Sequence, residues 1–527
     1  MRENREARRP PVPVDGGAGR EGKANGREPS MNGRRESDSR VVPAKRANKA
    51  GVPEAEPVEG RRLDEGSTSQ QNAFRTQSRE VRASSALERV RRAARRDKDA
   101  RFTALLHHVT IDRLRDGYRA LSPKAAAGVD GVTWEAYGQN LEDNLEVLHA
   151  RVQRGAYRAK PSRRVFIAKT HGRLRLLGVA ALEDKIVQRA LVEVLNAIYE
   201  ADFLGFSYGF RPGRGQHDVL DALVVGLERK KVNWVLDADI RGFFDTIDHE
   251  WLLKFVEHRV ADERVLRLIR KWLAAGVIED GAWSTSEDGT PQGATISPLL
   301  ANVYLHYVFD LWAQQWRGRQ ARGEVIIVRY ADDTIVGFQH ESDAKRFRRD
   351  LEQRLAKFRL ELNAEKTRLI RFGRFAAQQR SERGLGRPET FDFMGFTHYC
   401  AKAKDGRFAV RRRTITKRMA AKLREIKILL MQRRHWPIHA QGRWLGAVLR
   451  GHLAYYAVPG NIHQVSAFRE QLVRLWRRAL RRRGQKHRLN WQRMKRHAER
   501  WLPHVHYTHP WPDERFDATT QVRSPVR

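Results

Sequence analysis

The sequence predicts an α+β fold followed by a basic, helical region. Three observations lead to this prediction. Two runs of β-branched residues surround Tyr330–Asp333, in the order strand, tight turn, strand. Between residues 85 and 400, amphipathic helical patterns alternate with short strand patterns. Over residues 411–527 the apolar spacing is helical, and 28 Lys and Arg residues stand against 6 Asp and Glu residues.

Residues 1–84 differ in composition from the rest of the chain. The first 80 residues hold 17 Lys and Arg, 13 Asp and Glu, and a single aromatic residue, Phe74. Such a segment cannot bury enough apolar surface to offset the entropy of its chain. We therefore expect residues 1–84 to be a disordered N-terminal extension, residues 85–400 to form the α+β part, and residues 401–527 to form the basic helical part and a tail.

The charge of the chain indicates a polyanionic partner. The 527 residues carry a formal net charge of +38, which favours nucleic acid. No apolar run reaches the roughly 20 residues that a membrane span requires, so we expect no membrane association. Cys400 is the only cysteine, which excludes an internal disulfide and a Cys-rich zinc module. A reducing, intracellular compartment fits this composition.

Two adjacent carboxylates, Asp332 and Asp333, lie in the predicted turn between apolar strands. Unpaired charges are costly beside a core, and a divalent metal ion would remove that cost. A third carboxylate, Asp239, lies at the end of a strand that begins at Trp234. An ordinary polar hairpin turn is the alternative interpretation of Asp332 and Asp333.

Two segments have features that suit phosphate binding. The predicted hairpin over residues 165–178 carries Lys169 on one arm and Arg175 on the other, and two fixed cations are what a nucleotide triphosphate needs. The loop around Arg211 and Arg214 is rich in Gly and aromatic residues, which allow close approach to a phosphate and stacking on a base. A solvated face would also explain the hairpin, and the loop is a weak motif by itself.

A third segment, residues 289–302, is a Gly- and Pro-rich turn that runs into a helix. Ser297 is a candidate N-cap and Pro298 suits the first helical position. This structural interpretation also implies that Gln292, in the turn, is held rigidly.

The C-terminal region predicts a nucleic-acid interface. One helix directs Phe468, Leu472, Leu475 and Leu480 inward. A solvated helix face usually mixes charges of both signs, whereas the outward face here is almost purely cationic. The residues expected to contact nucleic acid are Arg474, Arg477, Arg478, Arg481, Arg482 and Arg483.

Taken in order, these blocks resemble the reverse transcriptases encoded by bacterial group II introns, over about residues 86–527. The resemblance implies a right-hand polymerase, with fingers and palm over residues 85–400. It implies an α-helical thumb and maturase domain over residues 401–527. The residues after this domain lack His-Asn-His and paired-Cys features, so we expect a short form without the endonuclease domain.

The resemblance further implies RNA-directed DNA synthesis by phosphoryl transfer. Asp239, Asp332 and Asp333, with Ile240 as a further metal contact, would bind two Mg²⁺ ions about 4 Å apart. Phe244, five residues after Asp239, is expected to be the steric gate that excludes a ribose 2′-hydroxyl. The nucleotide-binding residues that the resemblance implies are Lys169, Arg175, Phe244, Gln292 and Lys366.

The expected partners are a group II intron RNA, an RNA template with its DNA primer, target DNA and deoxynucleoside triphosphates, in a bacterial cytoplasm close to the nucleoid. A homodimer is left open. The alternative function is a non-catalytic RNA-binding splicing cofactor on a polymerase scaffold. That alternative predicts decay of the carboxylates, and Asp239, Asp332 and Asp333 are all present.

Overall fold

The computed structural model of the protein describes residues 86–168, 174–279, 282–284, 289, 293–484 and 489–522. The extension predicted to be disordered, residues 1–84, lies outside these ranges. The elements of the first half are α1 (86–96), α2 (Ile111–Arg119), α3 (Trp134–Gly138), α4 (Leu141–Gln153), β1 (Ser162–Ala168), β2 (Leu174–Val179), α5 (Leu182–Asp202), α6 (Gln216–Arg229), β3 (Trp234–Ala238), α7 (His249–Glu257), α8 (Glu263–Ala274), β4 (Val277–Glu279) and β5 (Ala282–Ser284).

The second half starts with the helix that the 289–302 segment predicts. Its N-cap is Ile296 rather than Ser297, and Pro298 lies at the second helical position. The elements are α9 (Ser297–Leu305), a π-helical turn (His306–Asp310), α10 (Leu311–Arg319), β6 (Val325–Tyr330), β7 (Asp333–Phe338), α11 (Glu341–Ala356), β8 (Arg368–Arg371), α12 (Ala376–Glu382), β9 (Phe391–Phe393), β10 (Phe396–Lys402), β11 (Phe408–Thr414), α13 (Thr416–Gln432), α14 (Ile438–Tyr456), α15 (Ile462–Arg481), α16 (Trp491–Trp501) and α17 (Pro512–Val522).

The first sheet has the strand order β2-β1-β4-β5. The β1 and β2 strands form the antiparallel hairpin predicted over residues 165–178, with Ile167 opposite Arg175. The β4 strand lies parallel to β1, with Val277 opposite Ser162. The tip of the hairpin, including Lys169, is outside the described residues.

The central sheet has the order β6-β7-β3-β8, and all its neighbouring strands are antiparallel. Its middle strand β3 is covered on both faces, because side chains alternate along a strand. Leu236 and Ala238 pack into a core formed with the helices of the N-terminal half. Val235 packs into a second core that includes Phe391, Phe393 and the end of α14. This sheet carries the predicted turn at Tyr330–Asp333, which joins β6 to β7 as expected.

The segment Phe391–Phe396 contains a tight turn between two strands. Met394 and Gly395 both have positive φ, 45° and 84°, and form the turn between β9 and β10. Phe391, Phe393 and Phe396 are buried, as the alternation of aromatic residues predicts. The β10–β11 hairpin continues to Thr414, so the helical region begins at Thr416 and not at residue 401.

A third core holds the helices α13 to α16 together. Phe468, Leu472 and Leu480 of α15 are buried, as predicted. Leu475 is only half-buried, and Trp476 is fully buried in its place. Within the ranges given above, no helix combines the length and apolar composition needed to cross a membrane.

The segment after α16 returns to the central sheet. Asp517 of α17 forms a two-point ion pair with Arg229 of α6, at 3.0 and 2.9 Å. Arg515 and Arg412 both pair with buried Asp221 of α6, at 3.2 and 2.9 Å. The β11 strand and α17 are therefore both fastened to α6, on either side of the helical region in the sequence.

The buried ring of His398 makes the stability of this fold depend on pH. The ring is fully buried and stacks on Phe391, with centroids 4.9 Å apart, and burial lowers the pKa of His398 to about 3. In the unfolded chain the ring titrates near pH 6.5, so acid favours the unfolded state. The contribution of His398 to the free energy of unfolding is fully present above about pH 6.5 and is smaller by about 2 kcal/mol at about pH 5.

We expect His398→Phe to be more stabilising at about pH 5 than at about pH 8, by about 2 kcal/mol, in urea unfolding. His435→Phe is the matched control, because His435 is exposed and its replacement should show no such difference. An equal effect of His398→Phe at both pH values would contradict this account.

Candidate active site

The turn between β6 and β7 is held in a strained conformation. Tyr330 pairs with Asp333 across the turn, and Ala331 between them has a φ of 56°. Positive φ is uncommon for a residue with a side chain and costs on the order of 1 kcal/mol or more. Such a conformation persists only where the surrounding contacts enforce it.

The loop at Ser207–Gly209 packs directly against this turn. Tyr208 N–H donates to the carbonyl of Arg329, and Arg329 N–H donates to the carbonyl of Phe206, both at 2.9 Å. A Cβ on Gly209 would lie 2.3 Å from the backbone nitrogen of Ala331. Only glycine permits this approach, so the Gly-rich loop supports the turn from behind.

Arg329 is the buried centre of this arrangement. Its guanidinium forms a two-point ion pair with Asp310, at 2.7 and 2.6 Å. It also donates to Ser207 Oγ at 2.7 Å, to Asn302 Oδ1 at 3.1 Å and to the carbonyl of Ala331 at 2.9 Å. These contacts use all five N–H donors of the guanidinium. Arg329 and Asp310 are both 0% exposed.

Sequence reasoning did not assign this network. The sequence does indicate that Arg329 is paired, because an arginine within an apolar strand needs a partner for its charge. Its partner Asp310 is 19 residues earlier and lies in the π-helical turn, which the helical spacing does not reveal. Insertions of this kind often occur at functional sites.

Asp239 lies beside the turn because of the register of β3 and β7. Ala238 is opposite Thr334 in this antiparallel pair. One step further along, the same register places Asp239 opposite Asp333. Side chains directly opposite each other in an antiparallel pair have Cβ atoms about 4.5–5.5 Å apart. The three predicted carboxylates are therefore grouped at one edge of the central sheet.

Residues 361–367 hold the backbone of Asp239 in place. Asn363 N–H donates to the carbonyl of Asp239 at 2.8 Å, and Asp239 N–H donates to Thr367 Oγ1 at 3.3 Å. Lys366 Nζ donates to both carboxylate oxygens of Asp239, at 3.0 and 2.9 Å. Lys366 was predicted at the nucleotide side of the site, and the structure places it in direct contact with a predicted metal ligand.

The carboxylates repel one another. Desolvation, followed by the charges of Asp332, Asp239 and Asp237, raises the pKa of Asp333 to about 7. Desolvation is also the largest cause that raises the pKa of Asp237 to about 6. The Asp333 carboxyl faces solvent, which screens part of this repulsion. Asp237 is a fourth acidic group that was not predicted for the site, although strand alternation places it on the same face as Asp239.

These residues fit a hard divalent cation. Among the residues described by the structure, no three His, Cys, Asp or Glu side chains form a ready-made metal cage. Mg²⁺ binds oxygen and is commonly held by one or two carboxylates together with substrate phosphates, and the clustered donors here are all carboxylates. Ile240, also predicted as a metal contact, has its side chain in the core at 8% exposure. Only its backbone could contact a metal.

The structure describes only some of the predicted nucleotide-binding residues. Phe244 follows Asp239 on a short 3₁₀ turn, and its half-buried ring lies edge-on to Phe243, with centroids 5.3 Å apart. Arg175 is placed on β2, with only its backbone described. Lys169 and Gln292 lie outside the described residues, and their roles remain predictions.

The prediction that Arg211 binds nucleic acid is wrong in this structure, and Arg214 is also engaged within the protein. Arg211 is 6% exposed and forms a two-point ion pair with Glu200, both distances being 3.0 Å. Arg214 donates to the carbonyls of Gly205 and Ser207, at 2.6 and 3.1 Å. Both side chains brace the loop that supports the β6–β7 turn, and burial removes Arg211 from any phosphate.

The C-terminal arginines divide into two groups. Arg474, Arg478, Arg481 and Arg482 are exposed. Arg477 is half-buried, with its guanidinium 4.3 Å from the ring centroid of Trp491. Arg483 is also half-buried and donates to the carbonyl of Trp436. Arg482 and Arg483 both follow the end of α15 at Arg481, so the predicted continuous helical face stops before them.

Comparison with known proteins agrees with this geometry. The family model described as reverse transcriptase (RNA-dependent DNA polymerase) matches residues 167–398. Protein YkfC of Escherichia coli strain K12 is 34% identical over 312 residues, which cover 52% of this chain and 81% of YkfC. The group II intron-encoded protein LtrA of Lactococcus lactis is 33% identical over 222 residues, or 42% of this chain and 37% of LtrA.

A plant relative is similar over a shorter stretch. The mitochondrial nuclear intron maturase 3 of Arabidopsis thaliana is 30% identical over 125 residues, which cover 23% of this chain and 17% of that protein. The chain thus spans most of YkfC but well under half of LtrA and of the maturase.

The Arg329–Asp310 pair yields a prediction about the turn. Asp310→Asn should cost about 3–5 kcal/mol of unfolding free energy, because it leaves a buried charge without its partner. The double variant Arg329→Met/Asp310→Leu should recover most of that loss, since apolar residues can replace a buried pair. It should still extend a primer about 100-fold more slowly, because the carbonyl of Ala331 has lost its donor and the carboxylates shift.

Urea unfolding and single-turnover primer extension would measure the two effects. Glu352→Gln is the control, since it breaks an exposed pair with Arg348 and should cost less than about 1 kcal/mol. If the double variant is stable and extends at the wild-type rate, the network does not position the turn.

Proposed function

Because the chain belongs to the group II intron-encoded reverse transcriptase and maturase family, we propose that it is an RNA-directed DNA polymerase that also binds its intron RNA to assist splicing and mobility. The observation that carries the polymerase proposal is the grouping of Asp239 with Asp332 and Asp333 at one edge of the central sheet. An ordinary polar turn would not require a third carboxylate at the end of the adjacent strand.

Asp239, Asp332 and Asp333 would hold two Mg²⁺ ions. When bound, such ions stabilise the charge on the attacking 3′-oxygen and on the leaving pyrophosphate. The repulsion that raises the pKa of Asp333 favours cation binding, because a cation lowers the cost of ionising all these groups. Lys366 neutralises part of the charge on Asp239 and keeps that carboxylate oriented.

The sugar of the incoming nucleotide would lie against Phe244. A half-buried ring backed by Phe243 cannot move away easily, so it would clash with a 2′-hydroxyl. The cation pair for the triphosphate would be Lys169 and Arg175, and Gln292 would line the pocket. Gly293, the next residue in the sequence after Gln292, supports this arrangement, because a Cβ there would lie 2.5 Å from the carbonyl of Gly178 on β2, the strand of Arg175.

The cationic helices of the C-terminal region would hold the template–primer duplex and the folded intron RNA. The further partners we propose are target DNA and deoxynucleoside triphosphates, in a bacterial cytoplasm close to the nucleoid. A homodimer is compatible with this assignment. The second candidate function is a splicing cofactor without polymerase activity, favoured by the similarity to a protein named as an intron maturase.

Asp332→Asn separates these two functions. We expect it to abolish primer extension on an RNA template while RNA affinity changes by less than about twofold, because the substitution removes a metal ligand and little surface charge. The measurements are extension by gel assay and RNA binding by filter retention. Asp405→Asn, at an exposed turn between β10 and β11, should retain the wild-type rate. Extension by Asp332→Asn at that rate would refute the metal assignment.

Phe244→Ala tests the sugar pocket. We expect a loss of discrimination against ribonucleotides of about 10- to 100-fold, since the ring that meets the 2′-hydroxyl is removed. Single-nucleotide incorporation with matched ribo- and deoxyribonucleotides gives the ratio of kcat/KM values. Phe243→Leu is the comparison, because Phe243 is buried behind Phe244 and should affect stability but not the ratio. Unchanged discrimination in Phe244→Ala would place the gate elsewhere.

A further inference from the structure

An exposed tryptophan lies at the turn between α13 and α14. This turn, Arg433–Pro437, presents the indole of Trp436 at 45% exposure. Neighbouring Arg434 and His435 are exposed as well. A large aromatic surface surrounded by cationic groups is the arrangement that proteins use to stack on unpaired bases.

The turn is held rigidly from inside the helical core. Gln441 is fully buried and donates to the carbonyls of Arg433 and Arg434, at 2.7 and 3.1 Å. The Gln441 side chain in turn accepts a hydrogen bond from Trp476 Nε1 at 2.9 Å. Trp436 N–H donates to the carbonyl of Arg433 at 3.0 Å. A surface fixed in advance binds a ligand with a smaller entropic cost.

The arginines next to the turn orient its aromatic rings. The guanidinium of Arg433 lies 4.8 Å from the ring centroid of Trp436 and 4.5 Å from that of Trp444. Arg483, just beyond the end of α15, donates to the carbonyl of Trp436. This contact brings the exposed Arg481 and Arg482 to the same end of the helical region.

The charge around this turn selects the class of partner. The sequence has no Asp or Glu from residue 426 to residue 469, or from residue 471 to residue 498. The turn and the end of α15 therefore carry cationic and aromatic side chains and no acidic one. An anion that also has exposed flat apolar faces is complementary to both features, and single-stranded nucleic acid is such an anion.

We propose that Trp436 stacks on an unpaired base of a structured RNA, while Arg434, Arg481 and Arg482 contact the phosphates on either side of it. A base inside a duplex has both faces covered, so the turn would select loops and bulges over continuous helix. This proposal rests on the proposed function, in which the helical region binds folded RNA, and it names the part of the RNA that is recognised.

The test compares Trp436→Ala and Trp436→Phe with the wild-type protein on two RNAs, a hairpin with an unpaired loop and a blunt duplex of equal charge. We expect Trp436→Ala to weaken hairpin binding by about 5- to 150-fold, the range for loss of one stacked base. Duplex binding should change by less than about twofold, and the salt dependence should be unchanged because no charge is removed. Trp436→Phe should keep most of the affinity, since a phenyl ring also stacks.

Two controls define the role of the turn. Trp511→Ala removes an equally exposed tryptophan, at 47%, on the segment before α17, and should leave hairpin binding unchanged. Arg481→Gln/Arg482→Gln should weaken both RNAs and reduce the log–log salt slope by about 0.7 per lost contact to unpaired RNA. Thermal unfolding of each variant would show that it is folded.

Three outcomes would overturn the proposal. In the first, Trp436→Ala binds the hairpin as tightly as the wild-type protein does. In the second, it loses the same affinity for the duplex as for the hairpin. In the third, it loses affinity only for polyglutamate, which would indicate an acidic protein partner. Failure of the proposed function would look different, because the wild-type protein would then fail to bind structured RNA or Asp332→Asn would still extend primers.

Discussion

The buried ion pair between Arg329 and Asp310 is the interaction on which the site depends. A desolvated pair is not a strong source of stability by itself, and its geometric effect matters more here. The same guanidinium contacts the π-helical turn, the Gly-rich loop and the carbonyl of Ala331. Two segments that are distant in sequence, the π-helical turn and the Gly-rich loop, are thereby fixed around one strained turn. The strain at Ala331 has a direct consequence, since it turns two adjacent carboxylates toward the end of β3.

The electrostatics of the site favour a cation without enclosing one. Desolvation and neighbouring carboxylates raise the pKa of Asp333 and of Asp237, and Lys366 on Asp239 and Arg368 near Asp237 supply compensating positive charge. An enzyme that binds its ions together with substrate phosphates needs this arrangement, because a closed cage would leave no coordination positions for the nucleotide.

Local patterns in the sequence predict the elements of this protein well. The hairpin over residues 165–178, the turn at Tyr330–Asp333 and the apolar faces of α13 and α15 all follow from spacing within a few residues. Contacts between distant residues leave no such pattern. Lys366 meets Asp239 across 127 positions, and Arg211 pairs with Glu200 of α5 instead of with a phosphate. The predicted helical face ran on through Arg482 and Arg483 although α15 ends at Arg481, because a helix end is the least determined part of a helical pattern.

The strand order of the central sheet has a consequence for how the protein is made. The β3 strand lies between β7 and β8, yet β7 begins about 95 residues after β3 ends. At typical rates of synthesis, both edges of β3 stay without a ladder partner for roughly 5 to 20 s. An apolar strand with open edges is a template for intermolecular pairing. The strand that delivers Asp239 is therefore the part of the nascent chain that most needs protection by a chaperone before β8 and residues 361–367 close over it.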